Sequence, residues 1–187
     1  MSSNKLANML IFAKSFFQVI KNINNTNLIV LDPKKELSLD SNYYKNYYTS
    51  DLTNVTDKII DYIEKEIDTI NGTVMICIYN FGKYMLSLEN TKKFTDFMIR
   101  IKNKENIKIV IFDDFNKIKT YQYEDWFKNC FTISEGIWIG KGISEQSLFK
   151  LSSLNRELNE TIDNKMGYVI SESTPSQAKL IDFISQE

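Results

Sequence analysis

The short run Ile107-Lys108-Ile109-Val110-Ile111-Phe112, halted by Asp113 and Asp114, constrains the fold of this chain more than any other segment. It is too short for a helix and too continuously apolar for a strand with one wet face, so it predicts a strand covered on both faces inside a parallel sheet. Two runs of the same kind, Leu28 to Leu31 and Val74 to Ile78, come before it, with helical patterns between. Strands alternating with helices at this spacing predict an α/β architecture. Asp113 and Asp114 then stand at the C-terminal end of a strand, the edge of an open α/β sheet where ligands bind. Two readings of the pair are open: a metal or acid/base site, and a solvated turn that caps the helix after it.

Apolar spacing places the helices. Leu6, Met9, Leu10, Ala13, Phe16, Phe17 and Ile20 form one buried face, capped by Ser2 or Ser3. A second helix is expected over Thr53 to Ile70, with Asp61 and Glu64 outward. A third has Leu86, Phe94, Phe97, Met98 and Ile101 inward. Tyr123, Trp126, Phe127, Cys130 and Phe131 share one face of a fourth, and Ile137 to Ile139 returns as another short buried strand. The tyrosines Tyr43, Tyr44, Tyr47 and Tyr48 read as a surface loop or, alternatively, a contact patch. Leu148, Leu151 and Leu154 suggest a helical connection reaching about Ile162. Tyr168 to Ile170 and Ala178 to Phe183 predict a hairpin on the sheet's edge across the turn-rich Ser171 to Ser176. No repeat or linker divides the 187 residues, a length that suits one domain.

Composition then removes whole classes of chemistry. The chain has no histidine, which excludes Ser-His and Cys-His nucleophile pairs, histidine bases and nearly all zinc hydrolase sites. Its net charge of −1, without a Lys/Arg cluster, argues against a nucleic-acid partner. No apolar stretch approaches the ~18 residues that span a bilayer, so no direct membrane insertion of this chain is expected. The two cysteines, Cys77 in a strand and Cys130 on an apolar helix face, fit neither a disulfide framework nor a metal site and read as core residues.

On this scaffold three segments carry a likeness. Asp32-Pro33-Lys34-Lys35-Glu36-Leu37 follows a strand directly, Val74 to Met85 holds the next strand, and Ile107 to Asn116 the one after. In this order they resemble the Asp-Pro-Lys…Glu-Leu signature, the Walker B strand and the γ-phosphate sensor of FtsK/SpoIIIE-type ATPases. Glu135 to Gln146, containing GIWIGKG, and Gly167 to Ile181 resemble the C-terminal (third) ATPase-like domain of the type VIIb secretion ATPase, the EssC/YukB group. The resemblance covers nearly the whole chain. It implies a three-layer RecA/P-loop-NTPase-like fold, a mostly parallel sheet with flanking helices and a C-terminal β-hairpin. It further implies that residues 1–187 are a single domain from the C-terminal part of a larger, membrane-anchored protein on the cytoplasmic side of the cell membrane. The implied partners are the other ATPase domains of the motor and secreted type VII substrate proteins.

The departures from that pattern bear on activity. A P-loop needs a glycine-rich turn, a lysine on the phosphates and a Ser/Thr on Mg²⁺. The chain begins after the strand that would precede such a turn, and the resemblance sets Ser3 at the lysine and Asn4 at the Ser/Thr. Tyr79 and Asn80 stand at the Walker B acid pair, and Asp114 at the sensor Gln, where its charge would repel a γ-phosphate. The expectation is a degenerate domain with no catalytic residues and no bound ATP, Mg²⁺ or other metal. Its partner contacts are expected at Asp113, Asp114, Tyr121, Trp138 and Lys141. The alternative is a weakly nucleotide-binding or ATP-hydrolysing domain whose P-loop lies upstream of this chain.

Overall fold

A computed structural model describes residues 3–32, 35–38, 46–48, 60–61, 64–65, 71–88, 90–152, 158 and 166–179. The chain forms two compact units, Phe16–Cys130 and a second made of Met1–Ser15 with Phe131–Glu187.

The first unit is built on parallel strands. β1 (Thr26–Leu31) pairs with β2 (Asn46–Tyr48) on one side and β3 (Thr73–Tyr79) on the other, and β3 pairs with β4 (Ile107–Phe112), in the order β2-β1-β3-β4. Leu28 to Leu31 and Ile76 to Tyr79 are buried without alternation, as strands covered on both faces must be. β3 is interior. β4, expected there, is instead the terminal strand among the described residues, with Lys108 exposed and Ile109 to Ile111 half-buried. A further correction concerns the tyrosine segment. Tyr47 and Tyr48 belong to β2 and not to a loop, while Tyr43 and Tyr44 lie outside the described residues.

Helices flank this sheet. α1 (Ser3–Lys21) buries Met9, Ala13, Phe17 and Ile20 along the expected stripe, and Phe16 and Phe17 meet Phe112 edge-on at centroid distances of 5.7 and 5.6 Å. The expected third helix is two. α2 (Phe81–Leu86) ends with Leu86 86% exposed, and α3 (Thr91–Ile101) starts afresh at Asn90, whose side chain accepts the Lys93 N–H at 3.0 Å. α3 buries Phe94, Phe97, Met98 and Ile101 as its spacing predicts. Of the Thr53 to Ile70 helix, residues 60–61 and 64–65 are described and helical. Ile60 is buried, and Asp61 and Glu64 pair with Lys93 and Arg100 of α3. After β4 the chain makes α4 (Phe115–Lys119) and α5 (Asp125–Cys130). Trp126 and Phe127 are buried, but Tyr123 precedes α5 and is exposed, so the single apolar face expected from Tyr123 to Phe131 is broken by a turn.

The second unit carries an antiparallel sheet in the order β5-β6-β7, formed by Gly136–Ile139, Met166–Ser171 and Thr174–Lys179. The hairpin exists, but among the described residues it pairs with β5, in a sheet separate from the parallel one, and its turn is the two residues Glu172 and Ser173. Both have positive φ, 49° and 67°, the geometry of a tight two-residue hairpin. The second strand therefore begins at Thr174, earlier than expected, and residues 180–187 lie outside the described set. From 146 to 152 the connection is irregular, not helical; the rest of the predicted helix falls largely outside the described residues.

The β1–β3 ladder is keyed by one glycine. Gly72 has φ 101°, and a Cβ there would stand 2.2 Å from the Asn25 carbonyl oxygen, which itself accepts the Thr73 N–H at 2.8 Å. Neither backbone can yield without breaking the first rung of the ladder. Gly72→Ala should therefore lower unfolding stability by at least about 2 kcal/mol, read as a fall in the urea midpoint with an unchanged slope.

Candidate functional site

The register of the parallel ladder decides which side chains meet at its C-terminal edge. Tyr79 lies opposite Phe112, so the residues after them, Asn80 and Asp113, leave the sheet side by side. The loop after β1 brings Asp32, Glu36 and Leu37 to the same edge.

Asp113 is a clamp. Its side chain has no exposed surface, and its Oδ2 accepts the Gly82 N–H at 2.6 Å while its Oδ1 accepts the Asp114 N–H at 2.7 Å and Lys117 Nζ at 3.2 Å. A buried carboxylate satisfied by two N–H groups and an ammonium ties the end of β4 to the starts of α2 and α4. Asp114 does something different. It caps α4, its Oδ1 accepting the Asn116 N–H at 2.9 Å and Asn116 Nδ2 at 3.0 Å.

At the end of β3, Tyr79 is buried with its ring 6.4 Å from Phe112. Burial pushes its phenol well above the ordinary value, and the carboxylates of Glu36, Asp32 and Asp113 push it further the same way. Asn80 is buried in the left-handed region, φ 54° and ψ 53°. Its Nδ2 donates to Glu36 Oε2 at 2.5 Å, and Lys83 Nζ donates to Glu36 Oε1 at 2.5 Å. Tyr121 is half-buried, packed edge-on against Phe81 at 5.2 Å and beside Trp126 at 6.2 Å. Its phenol is raised by burial first, then by Asp113 and Glu124, against a lowering hydrogen bond from Thr120.

The remaining candidates lie in the second unit. Ser3 and Asn4 fall in the first turn of α1. Trp138 is buried and its Nε1–H donates to the Lys141 carbonyl at 3.2 Å, closing a loop in which Gly140 and Gly142 take φ values of 82° and 87°. Lys141 itself is exposed. Gln146 fixes the next turn, its Oε1 accepting the Leu148 and Phe149 N–H groups at 2.7 Å each.

Tyr79, Asn80, Asp113 and Asp114 stand at the C-terminal ends of β3 and β4, as expected from the apolar runs before them. The bonding partners Glu36 and Lys83 carry no local periodicity that marks them: Asn80 and Glu36 are 44 positions apart. The only local hint was the Glu of the Asp32-to-Leu37 segment. As chemistry, the edge offers a phenol held neutral and an engaged amide, and its carboxylates Glu36 and Asp113 are bonded to the chain's own donors. Among the described residues no group of three or more Cys, Asp or Glu side chains is placed to hold a metal ion.

No protein-family model matches the chain, and no curated protein does either. Solved structures do match. The EccC ATPases 2 and 3 of Thermomonospora curvata, in complex with a signal sequence peptide, align at TM-score 0.59 and 11% identity over 94% of this chain and 34% of that one. ATPases 2 and 3 of EssC from Geobacillus thermodenitrificans align at TM-score 0.55 and 15% identity, covering 83% and 31%. The cytoplasmic domain of EssC aligns at 0.51 and 14%, covering 83% and 34%. The chain has the fold of the EssC and EccC ATPase domains. It spans about a third of the length of each solved chain. Among the described residues no helix is long and apolar enough to cross a membrane.

Two measurements follow from this geometry. Asp113→Ala should cost about 2 kcal/mol or more in urea unfolding, because the Gly82 N–H loses its acceptor inside the protein. Lys117→Met, which removes the half-exposed cation but leaves both N–H donors on the carboxylate, should lower the urea midpoint less than Asp113→Ala does. The Tyr79 phenol sets an alkaline limit. An unfolded tyrosine ionises near 10.0, whereas the folded Tyr79 keeps its proton to higher pH, so the unfolded state sheds protons first. Tyr79's contribution is complete below 10.0 and falls as pH rises above it. In Tyr79→Phe that alkaline decline should be shallower than in the parent, measured as unfolding midpoint against pH.

Proposed function

We propose that this chain is a non-catalytic, ATPase-like domain of a type VII secretion motor, which engages secreted substrate proteins and neighbouring ATPase domains and does not turn over ATP. It works on the cytoplasmic side of the cell membrane as part of a membrane-anchored parent. One observation carries the non-catalytic reading: Tyr79 and Asn80 end the interior strand β3, and Asn80 is already bound to Glu36. Phosphoryl transfer depends on positioning and on stabilising charge, and neither a phenol held neutral nor an engaged amide supplies a metal ligand or a base. The secretion reading is supported by the shared fold, and the substrate reading by the signal sequence peptide held by the EccC ATPases. In the first unit the candidates are the half-buried Asp114 and Tyr121, with the Asp114 N–H held by Asp113; in the second, the exposed Lys141 lies in the loop that Trp138 closes.

Calorimetric titration of the chain with Mg-ATP and, in the same buffer, with a type VII signal-sequence peptide tests this. Heat from the peptide and none from Mg-ATP is the expected result. Micromolar binding of Mg-ATP with hydrolysis would instead make this a nucleotide-using domain completed by a P-loop upstream, and would end the non-catalytic reading.

A further inference from the structure

The Glu36 side chain joins the loop after β1 to the start of α2. Glu36 lies in a turn in which Lys35 and Ser38 have positive φ, 53° and 48°, a conformation that residues with side chains rarely hold unaided. Its two carboxylate oxygens go to two positions of another segment, Asn80 Nδ2 and Lys83 Nζ, each at 2.5 Å. Beside it Leu37 is fully buried and its N–H donates to Asp32 Oδ2 at 2.8 Å. Across the contact, Asn80 is buried in a left-handed conformation, its side chain makes no capping bond to α2, and its carbonyl accepts the Tyr84 N–H at 2.9 Å. Two strained backbone segments thus lean on one carboxylate, and strain of this kind persists only where the surroundings over-determine it. The side chains of Lys83 and Glu36 are 35% and 37% exposed, so the contact can open without unpacking the core.

We propose that Glu36 is a latch that makes residues 35–38 and the first turn of α2 one conformational unit, opening and closing together at the C-terminal edge of the parallel sheet. The two bonds that make the latch, from Asn80 and from Lys83 to Glu36, lie within the first unit.

Amide hydrogen exchange on the full chain tests it, with the Leu37 and Tyr84 N–H groups as reporters of the two sides and the Lys102 N–H, bonded to the Met98 carbonyl at 3.1 Å, as a remote control. In Glu36→Ala both reporters should exchange faster by about tenfold or more and by similar factors, while Lys102 keeps its parent rate. Lys83→Met should accelerate the same two reporters in parallel by a smaller factor. The latch is overturned if Leu37 keeps its parent rate in Glu36→Ala, or if only one reporter responds. Should Glu36→Ala fail to fold, Lys83→Met decides by the same comparison, parallel acceleration supporting the latch and a one-sided or absent response refuting it.

Discussion

A carboxylate without exposed surface has to be answered by donors, and at the end of β4 that requirement organises everything around it. Removing Asp113 from water costs several kcal/mol unless hydrogen bonds replace its hydration. The replacements are the Gly82 N–H from α2, the Asp114 N–H from its own turn and the Lys117 ammonium from α4. These groups belong to three different elements, so satisfying one charge fixes where two helices begin relative to the strand. The β3–β4 register makes this possible, because pairing Tyr79 with Phe112 brings the Gly82 N–H, three residues past Tyr79, level with the carboxylate just past β4. A shift of one residue would turn the Asp113 side chain to the other face.

The same edge holds a second charge answered within the chain. Charges at the C-terminal edge of a parallel sheet can be answered by a ligand or by the chain itself. Here Glu36 is answered by Asn80 and Lys83, and Asp113 by Gly82 and Lys117. Tyr79, pressed by three carboxylates and by burial, stays a neutral phenol at physiological pH.

Much of the fold was legible because burial on both faces writes continuous apolar runs: β1, β3 and β4 were found from Leu28, Val74 and Ile107 onward, and α3 from Phe94, Phe97, Met98 and Ile101. The misses have physical causes. Leu86 and Tyr123 match a helical stripe, but each stands where a short helix ends or has yet to begin, so the stripe outran the helices that carry it. β2 is three residues long and carries no run to read. The hairpin register was displaced because Pro175, read as turn material, sits within β7, a terminal strand of its sheet where a missing N–H is tolerated. Of the aspartate pair, the cap on the following helix was one of the two readings and Asp114 makes it, while the buried clamp at Asp113 carried no signal in the sequence. Neighbouring aspartates leave a strand end in different directions, so one becomes a buried clamp and the other a helix cap from the same dipeptide.

What distinguishes this edge is where its stability comes from. A protein whose strand-end charges are satisfied by a ligand gains stability with ligand concentration, since binding to the folded state alone shifts the folding equilibrium. A protein that satisfies them internally has that stabilisation at all times, and any ligand using the same groups must first break it. Glu36 and Lys83, each about one-third exposed, sit where that exchange can occur, whereas Asp113, wholly buried, does not. The edge therefore has a fixed half and an openable half. Asp113 holds α2 and α4 to the sheet permanently, and Glu36 holds the β1 loop to α2 conditionally. A partner that acts on this edge gains its leverage at Glu36, because there the bonds are strong enough to define a closed state and exposed enough to be given up.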